Sequence, residues 1–229
     1  MMEIYNYIYS LVKNANIEKY YNEKTKKLIL PPNYNFPLFN FPLGIKSIIF
    51  DEYKTTSLSF LNYNDRSKFN HKVDNLPNSI TKLIFGYSFN QPIDNLPSSL
   101  THLKLGWEFN QPIDNLPSSL THLILGWEFN QPIDNLPSNL THLILGWEFN
   151  QPIDNLPSNL TKLNLGIHFE QSINNLPPSL KFLSLYFSSK ENPKYLKFAK
   201  IPFGCKVINS YNYKNIFNDL LFHKLILIK

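Results

Sequence analysis

The sequence predicts a repeat solenoid with one short parallel β-strand in each coil of about 20 residues and an irregular convex side. Three nearly identical units start at Phe89, Phe109 and Phe129, and the first reads FNQPIDNLPSSLTHLKLGWE. A fixed period of this length is typical of a solenoid, in which each unit stacks only on its neighbours. Because repetition places like groups in columns, it does not build the asymmetric cluster of unlike groups that catalysis needs. We therefore expect no enzyme.

Looser copies extend the array on both sides. Six units follow one another in register over residues 69–188. A seventh unit at 34–50 keeps the apolar spacing and is separated from the array by an insertion at about 52–68. Residues 27–30 and 201–208 resemble parts of further degenerate units. Degenerate terminal units are what an open-ended stack needs, since its outermost faces meet water.

Each unit contains one predicted strand followed by a bend. Apolar residues alternate at the end of the LxxLxL segment, which predicts a strand at about 102–105 with Leu103 and Leu105 facing the core. Gly106 lets the chain bend after the strand.

The return path of each coil is predicted to be extended rather than a central strand. Pro112 and Pro117 lack the backbone donors that a central strand needs. Asp114 and Asn115 suit a turn in which the side chain bonds its own backbone. Equivalent asparagines after the strand are expected to bond the backbone from coil to coil as a ladder: Asn110, Asn130 and Asn150.

Small helical caps are predicted at both ends. Residues 3–20 place apolar side chains on one helical face, which predicts an amphipathic helix within an N-terminal cap of 1–25. A C-terminal cap of 210–229 is predicted to hold a short helix at about 212–222 and a last strand. The solenoid would then cover 26–209.

Charge and composition exclude several classes of partner. The net charge is +5, yet residues 69–188 hold five Lys and nine acidic residues, so the repeat body repels phosphate. Arg66 is the single arginine, whereas base readout favours arginine, and we expect no nucleic-acid binding. No apolar run is long enough to span a bilayer, and no membrane role is expected. The single cysteine, Cys205, fits a reducing compartment such as the cytoplasm.

Columns of like side chains are the candidate binding features, because neighbouring strands lie about 4.8 Å apart. Outward strand positions would mix imidazole and aliphatic groups, a surface that suits a protein partner. The indole column after the glycine would anchor a partner strongly if exposed and would extend the core if buried, and both readings stay open. The candidate partner-binding residues are His102, His122, His142, Lys104, Ile124, Ile144, Trp107, Trp127 and Trp147.

The column of His102, His122 and His142 could also be interpreted as a zinc site, because imidazole is a common zinc ligand. No Asp or Glu stands beside the three rings on the strands, so we interpret the column as a polar stripe and expect neither metal nor cofactor. Protonating all three rings would bring like charges together. We therefore expect the column to resist full charging.

The LxxLxL segment, followed by a Phe-Asn pair, a proline and an isoleucine, resembles the FNIP repeat, a relative of leucine-rich repeats. The resemblance covers 69–188 strongly. It implies a curved right-handed solenoid with the strands on its concave side, and an interaction role. Such repeats are typical of amoebae and their giant viruses; the expected location is the cytoplasm, and in a viral setting the partner would be a host factor and the location the host cytoplasm. Some members carry an N-terminal F-box that recruits ubiquitin ligases, but only about 25 residues precede the first strand here.

The sequence thus predicts a monomeric, non-enzymatic scaffold whose concave sheet binds a protein partner. One alternative is a structural protein that packs against copies of itself. A further alternative, by family analogy, is a ubiquitin-ligase substrate adaptor, which the missing F-box weakens.

Overall fold

A computed structural model of the chain describes residues 17–50, 66–186 and 200–210, and these residues form one stacked sheet. The sheet has ten strands that follow one another in chain order. Their bounds are β1 Tyr21–Asn22, β2 Lys27–Leu30, β3 Ser47–Phe50, β4 Lys82–Ile84, β5 His102–Lys104, β6 His122–Ile124, β7 His142–Ile144, β8 Lys162–Leu165, β9 Phe182–Tyr186 and β10 Lys206–Ser210.

Successive coils pair in parallel and in register, which confirms the predicted repeat solenoid. Leu103 lies opposite Leu83 on one side and Leu123 on the other, each 20 residues away. β1 is the exception, because it pairs with β2 in the antiparallel direction. The strand predicted at 102–105 ends at Lys104, although the Leu105 N–H still donates to the Ile124 carbonyl at 2.9 Å.

One continuous apolar spine runs through the stack. Leu103 and Leu105 both face it, as predicted, and are 2% and 1% exposed. Phe109 and its equivalents in neighbouring coils are almost fully buried, and their rings stack in parallel at centroid distances of 6.1 or 6.2 Å. A single coil offers no complete core, so each coil depends on its neighbours for burial.

The glycine after each strand from β5 to β8 is required by close packing between coils. A Cβ added at Gly126 would lie 1.6 Å from the carbonyl oxygen of Gly106, and a Cβ at Gly146 would lie 1.7 Å from that of Gly126. No side chain fits in that space, because the backbones of successive coils meet there. The bend predicted at this position is present, but the reason for glycine is the approach of the next coil.

Polar side chains tie each coil to the one before it. The Asn110 side-chain oxygen accepts from the backbone N–H of Asn130 at 3.0 Å and from the amide of Gln131 at 3.1 Å. This contact repeats along the array and confirms the predicted asparagine ladder. The turn predicted at Asp114 and Asn115 is present, and the Asp114 carboxylate also accepts from the Asn135 amide of the next coil at 3.0 Å.

The predicted helical caps are not supported. Within the described part of the chain there is no α-helix, and Glu18–Tyr20 forms one turn of 3-10 helix that leads directly into β1. The antiparallel hairpin of β1 and β2 closes the first edge of the sheet instead, and Ile17 packs into the core there. Residues 1–16, most of the insertion at 52–68, and the C-terminal helix and last strand lie outside the described residues.

Candidate partner-binding face

The face of the sheet opposite the core presents the histidine column, formed by His102, His122 and His142. Each residue lies directly opposite the next across a strand pair. The rings stack nearly in parallel, with centroid distances of 4.3 Å and 4.2 Å. All three side chains are half-buried, so one ring edge of the column is open to contact.

A threonine beside each histidine fixes its tautomer. The Thr101 hydroxyl lies 2.9 Å from the Thr81 carbonyl and 2.8 Å from Nδ1 of His102. A carbonyl only accepts, so the hydroxyl donates its one proton there and must accept from Nδ1–H. The same pair of contacts recurs at the other two histidines. Nε2 of each ring is therefore left as a hydrogen-bond acceptor.

The histidine column is held in its neutral form. Burial, then the adjacent imidazoles, and then the lysines at both ends of the column together lower the pKa of His122 to about 3. Burial, followed by Lys162 and His102, lowers the pKa of His142 to about 4. The pKa of His102 is lowered by burial and by Lys82. These directions agree with the expected resistance to charging.

The second outward column is less accessible than the sequence suggested. Ile124 is 6% exposed and Ile84 is 5% exposed, so neither offers much surface to a partner. Lys104 and Ile144 are half-buried and do reach the surface. On β3 all four side chains are buried, including the outward Ile49. Ile29, the equivalent position on β2, is 37% exposed, so the covered stretch of this column lies at β3 and β4, with accessible positions before it.

The indole column is formed by Trp107, Trp127 and Trp147, and all three side chains are half-buried. This burial is intermediate between the exposed anchor and the buried extension of the core that the sequence left open. Successive rings stack at 4.0 Å with interplanar angles of 10° and 12°. Tyr87 extends the stack on one side, and the Arg66 guanidinium lies 4.2 Å from the Tyr87 ring centre. Because Trp127 has an indole against each face, its ring edge, and not its face, is presented to the surface.

Ring spacings show that this face is concave. Coils stacked by pure translation would separate every pair of equivalent rings by the same distance. Instead the histidine and indole rings lie 4.0 to 4.3 Å apart, whereas the phenylalanine rings lie 6.1 or 6.2 Å apart. Successive coils must therefore rotate relative to each other by an angle on the order of 10°. The side with the shorter spacings is the inner side of the bend.

Basic and acidic residues lie on different parts of each coil, and the net charge of a whole segment does not show this separation. Across the ten strands of the described residues there is no Asp or Glu, whereas five lysines stand on them: Lys27, Lys82, Lys104, Lys162 and Lys206. The aspartates of the described coils lie in the return turns and are exposed. Glu108, Glu128 and Glu148 form an acidic row beside the indole column. Burial and then the Glu128 carboxylate raise the pKa of Glu108, opposed by a Ser88 hydrogen bond and Arg66.

The residues on this face do not assemble a metal centre. Stacked rings present their Nε2 atoms side by side rather than converging on one point. In 17–50, 66–186 and 200–210, no group of three His, Cys, Asp or Glu side chains could hold a metal ion. Those same segments contain no helix long and apolar enough to cross a bilayer.

The stacked coils, the single strand in each and the in-register columns define a parallel β-solenoid repeat protein. The FNIP Repeat family model matches the chain over residues 69–108, 89–128, 109–148, 129–166 and 149–188. These overlapping matches cover more than half of the sequence, and the chain belongs to the FNIP repeat family. No curated protein matches the sequence significantly.

Proposed function

We propose that this chain is a non-enzymatic scaffold that binds a protein partner on the concave face of its sheet. The observation that carries this proposal is the run of half-buried histidine side chains on that face, together with the half-buried tryptophan side chains in the turns that follow its strands. Aromatic side chains that are partly covered and held in fixed positions lose little entropy when a partner covers the rest, and tryptophan is enriched among binding hot spots. A concave solenoid surface spreads such contacts over several coils.

A matched pair of double variants tests whether this face is the binding surface. His122→Glu with His142→Glu places two acidic groups on adjacent coils of the face. Ser118→Glu with Ser138→Glu places the same two charges on adjacent coils in exposed turns away from it. Thermal unfolding first shows that both variants fold.

Affinity capture from an amoebal cell lysate then compares the two variants with the native chain. The proposal predicts that the native chain and the serine variant recover the same protein and that the histidine variant loses it. Recovery of the same protein by all three would place binding elsewhere on the molecule.

Self-packing is the second candidate function, and the segregation of charge favours it. The strand face carries lysines, while an exposed aspartate lies in the return turn of each coil from Asp74 to Asp154. The face of one copy could therefore attract the turns of another. Light scattering on dilution separates the two functions, because a binding scaffold stays monomeric while a packing protein shows mass that rises with concentration and falls with added salt.

A further inference from the structure

We propose that the C-terminal end of the described stack docks on the surface of an anionic phospholipid bilayer. The site consists of β9, β10 and the turn between Pro202 and Cys205, and it lies beyond the end of the histidine column. The inference goes beyond the proposed function, because it concerns a different surface and a different class of partner. The sequence led us to expect no membrane role, since no apolar run spans a bilayer, but docking on a surface needs no such run.

An aromatic side chain projects from this end of the stack. Phe203 lies in the turn that is closed by the Cys205 N–H, which donates to the Pro202 carbonyl at 3.1 Å, and its side chain is fully exposed to solvent. Gly204 has the left-handed backbone of this turn, at φ 76°, and a Cβ added there would meet no atom within 4 Å. Glycine is therefore required by the turn conformation and not by packing, and the turn presents the phenylalanine ring to solvent.

The corresponding turns of the regular coils carry a hydroxyl group at this place. In the turn closed by the Leu120 N–H and the Pro117 carbonyl, Ser118 follows the proline as Phe203 follows Pro202. The serines of the other regular coils are exposed in the same way: Ser98, Ser138 and Ser158. A ring that replaces a hydroxyl here gains no burial within the chain, so its contact lies outside the chain.

Lysines accompany the exposed ring. Lys181 and Lys206 line one shallow depression together with Phe203, and the Lys206 N–H donates to the Lys181 carbonyl at 2.8 Å. Both side chains are exposed, as is that of Lys200. The sequence from 171 to 229 holds nine lysines and two acidic residues, a net charge of +7. Two carboxylates cannot neutralise nine ammonium groups wherever they lie, so this end of the molecule attracts anions.

A bilayer fits this combination of groups better than other anionic partners do. The phenylalanine ring suits the apolar boundary below the headgroups, while lysine ammonium groups suit the headgroup phosphates. Val207 and Ile208 on β10 add two aliphatic side chains at the same end, each 46% exposed. A single-stranded nucleic acid could stack a base on the open ring but would leave these aliphatic groups uncovered. Base readout also favours arginine, and the sequence from 171 to 229 contains none.

Vesicle flotation of the full chain measures the docking, with vesicles of phosphatidylcholine alone or of phosphatidylcholine and phosphatidylserine at about 7:3. Phe203→Ser removes the ring. Its matched control is Leu43→Ser, because Leu43 is 95% exposed in a comparable Pro-Leu-Gly turn near the other end of the stack.

A second matched pair tests the charge with the same change in net charge on both sides. One variant carries Lys181→Gln, Lys200→Gln and Lys206→Gln at the proposed site, and its control carries Lys24→Gln, Lys46→Gln and Lys72→Gln at exposed positions elsewhere. All of these side chains are exposed, so the midpoint of thermal unfolding should stay that of the native chain in every variant.

The proposal predicts that the native chain floats with the anionic vesicles and not with phosphatidylcholine alone, and that added salt weakens the binding. Phe203→Ser should weaken it roughly tenfold. Each lysine near an anionic surface contributes about fivefold, so the variant at the proposed site should bind about a hundredfold more weakly. Both control variants should stay within about twofold of the native chain.

Equal losses within either matched pair would show that this end of the stack is not the docking site. The proposal also fails if the native chain binds both kinds of vesicle equally or binds neither. Binding to a single-stranded RNA oligonucleotide that is as tight as binding to the vesicles, and is unchanged by Phe203→Ser, would assign the lysines to nucleic acid instead. These outcomes leave the concave face untouched, so failure here is distinct from failure of the proposed function.

Discussion

Replacing Gly126 by alanine should destabilise the stack strongly, because the new Cβ would lie 1.6 Å from the carbonyl oxygen of Gly106. An ordinary contact needs at least about 3.4 Å, so the two coils must separate locally by roughly 1.8 Å. That separation breaks the bond from the Glu128 N–H to the Trp107 carbonyl at 2.9 Å and the bond from Leu105 to Ile124 at 2.9 Å.

The cost follows from those lost contacts. Two hydrogen bonds contribute about 1 kcal/mol each, and the stacked indole pair at this bend contributes about 1 kcal/mol. Adding the strain of the shifted backbone, we expect the free energy of unfolding to fall by about 3–5 kcal/mol. Urea unfolding followed by tryptophan fluorescence measures this fall, because two of the three indoles flank the altered bend.

Gly44→Ala is the matched control. A Cβ at Gly44 would meet no atom within 4 Å, and the only penalty is its left-handed backbone at φ 71°. That penalty is about 1–2 kcal/mol. If Gly126→Ala lowers the free energy of unfolding by no more than Gly44→Ala does, successive coils do not approach each other closely at Gly126.

Three further predictions concern the polar columns. In NMR titration His122 and His142 should have pKa values of about 3 and 4, and three coincident curves near 6.5 would contradict the half-buried stack. Because these folded-state pKa values are lowered, the unfolded chain takes up protons first, and stability should fall as pH drops from about 6.5 towards 3; replacing the three histidines by Gln should remove that part of the fall. Asn110→Ala leaves the backbone N–H of Asn130 and the side-chain amide of Gln131 without their acceptor. The free energy of unfolding, measured in urea, should fall by about 1–3 kcal/mol. Asn115→Ala removes one exposed side-chain bond, to Asp94 at 3.0 Å, and leaves no backbone donor without its acceptor, so it should cost about 0.5 kcal/mol; equal costs would contradict the ladder.

The sequence was sufficient for the features that depend on period and alternation. The 20-residue repeat set the register of the strands, and alternation placed Leu103 and Leu105 in the core. The asparagine ladder could also be predicted, because an asparagine at the same position of every coil lies beside the equivalent residue of the next coil. Such conclusions need only the assumption that equivalent residues stack.

Features that depend on distances between coils could not be read from the sequence. The requirement for Gly126 comes from a backbone approach that no single repeat contains. The Asp114 carboxylate accepts from Asn135 of the next coil, a contact between coils that the residues of one repeat do not reveal. Successive indoles lie 4.0 Å apart, which is closer than the roughly 4.8 Å between neighbouring strands. Each indole therefore covers a face of the next, and the column is half-buried.

The most direct test of the account is whether equivalent residues of successive coils stand side by side on the concave face. With Cys205→Ser as background, nitroxide labels at His102→Cys, His122→Cys and His142→Cys would lie about 4–5 Å apart. The account predicts a single exchange-narrowed electron paramagnetic resonance line from the triple-labelled chain, and three resolved lines from the chain labelled at His102→Cys alone. Three resolved lines from both would show that the coils do not stack in register, and would contradict the account.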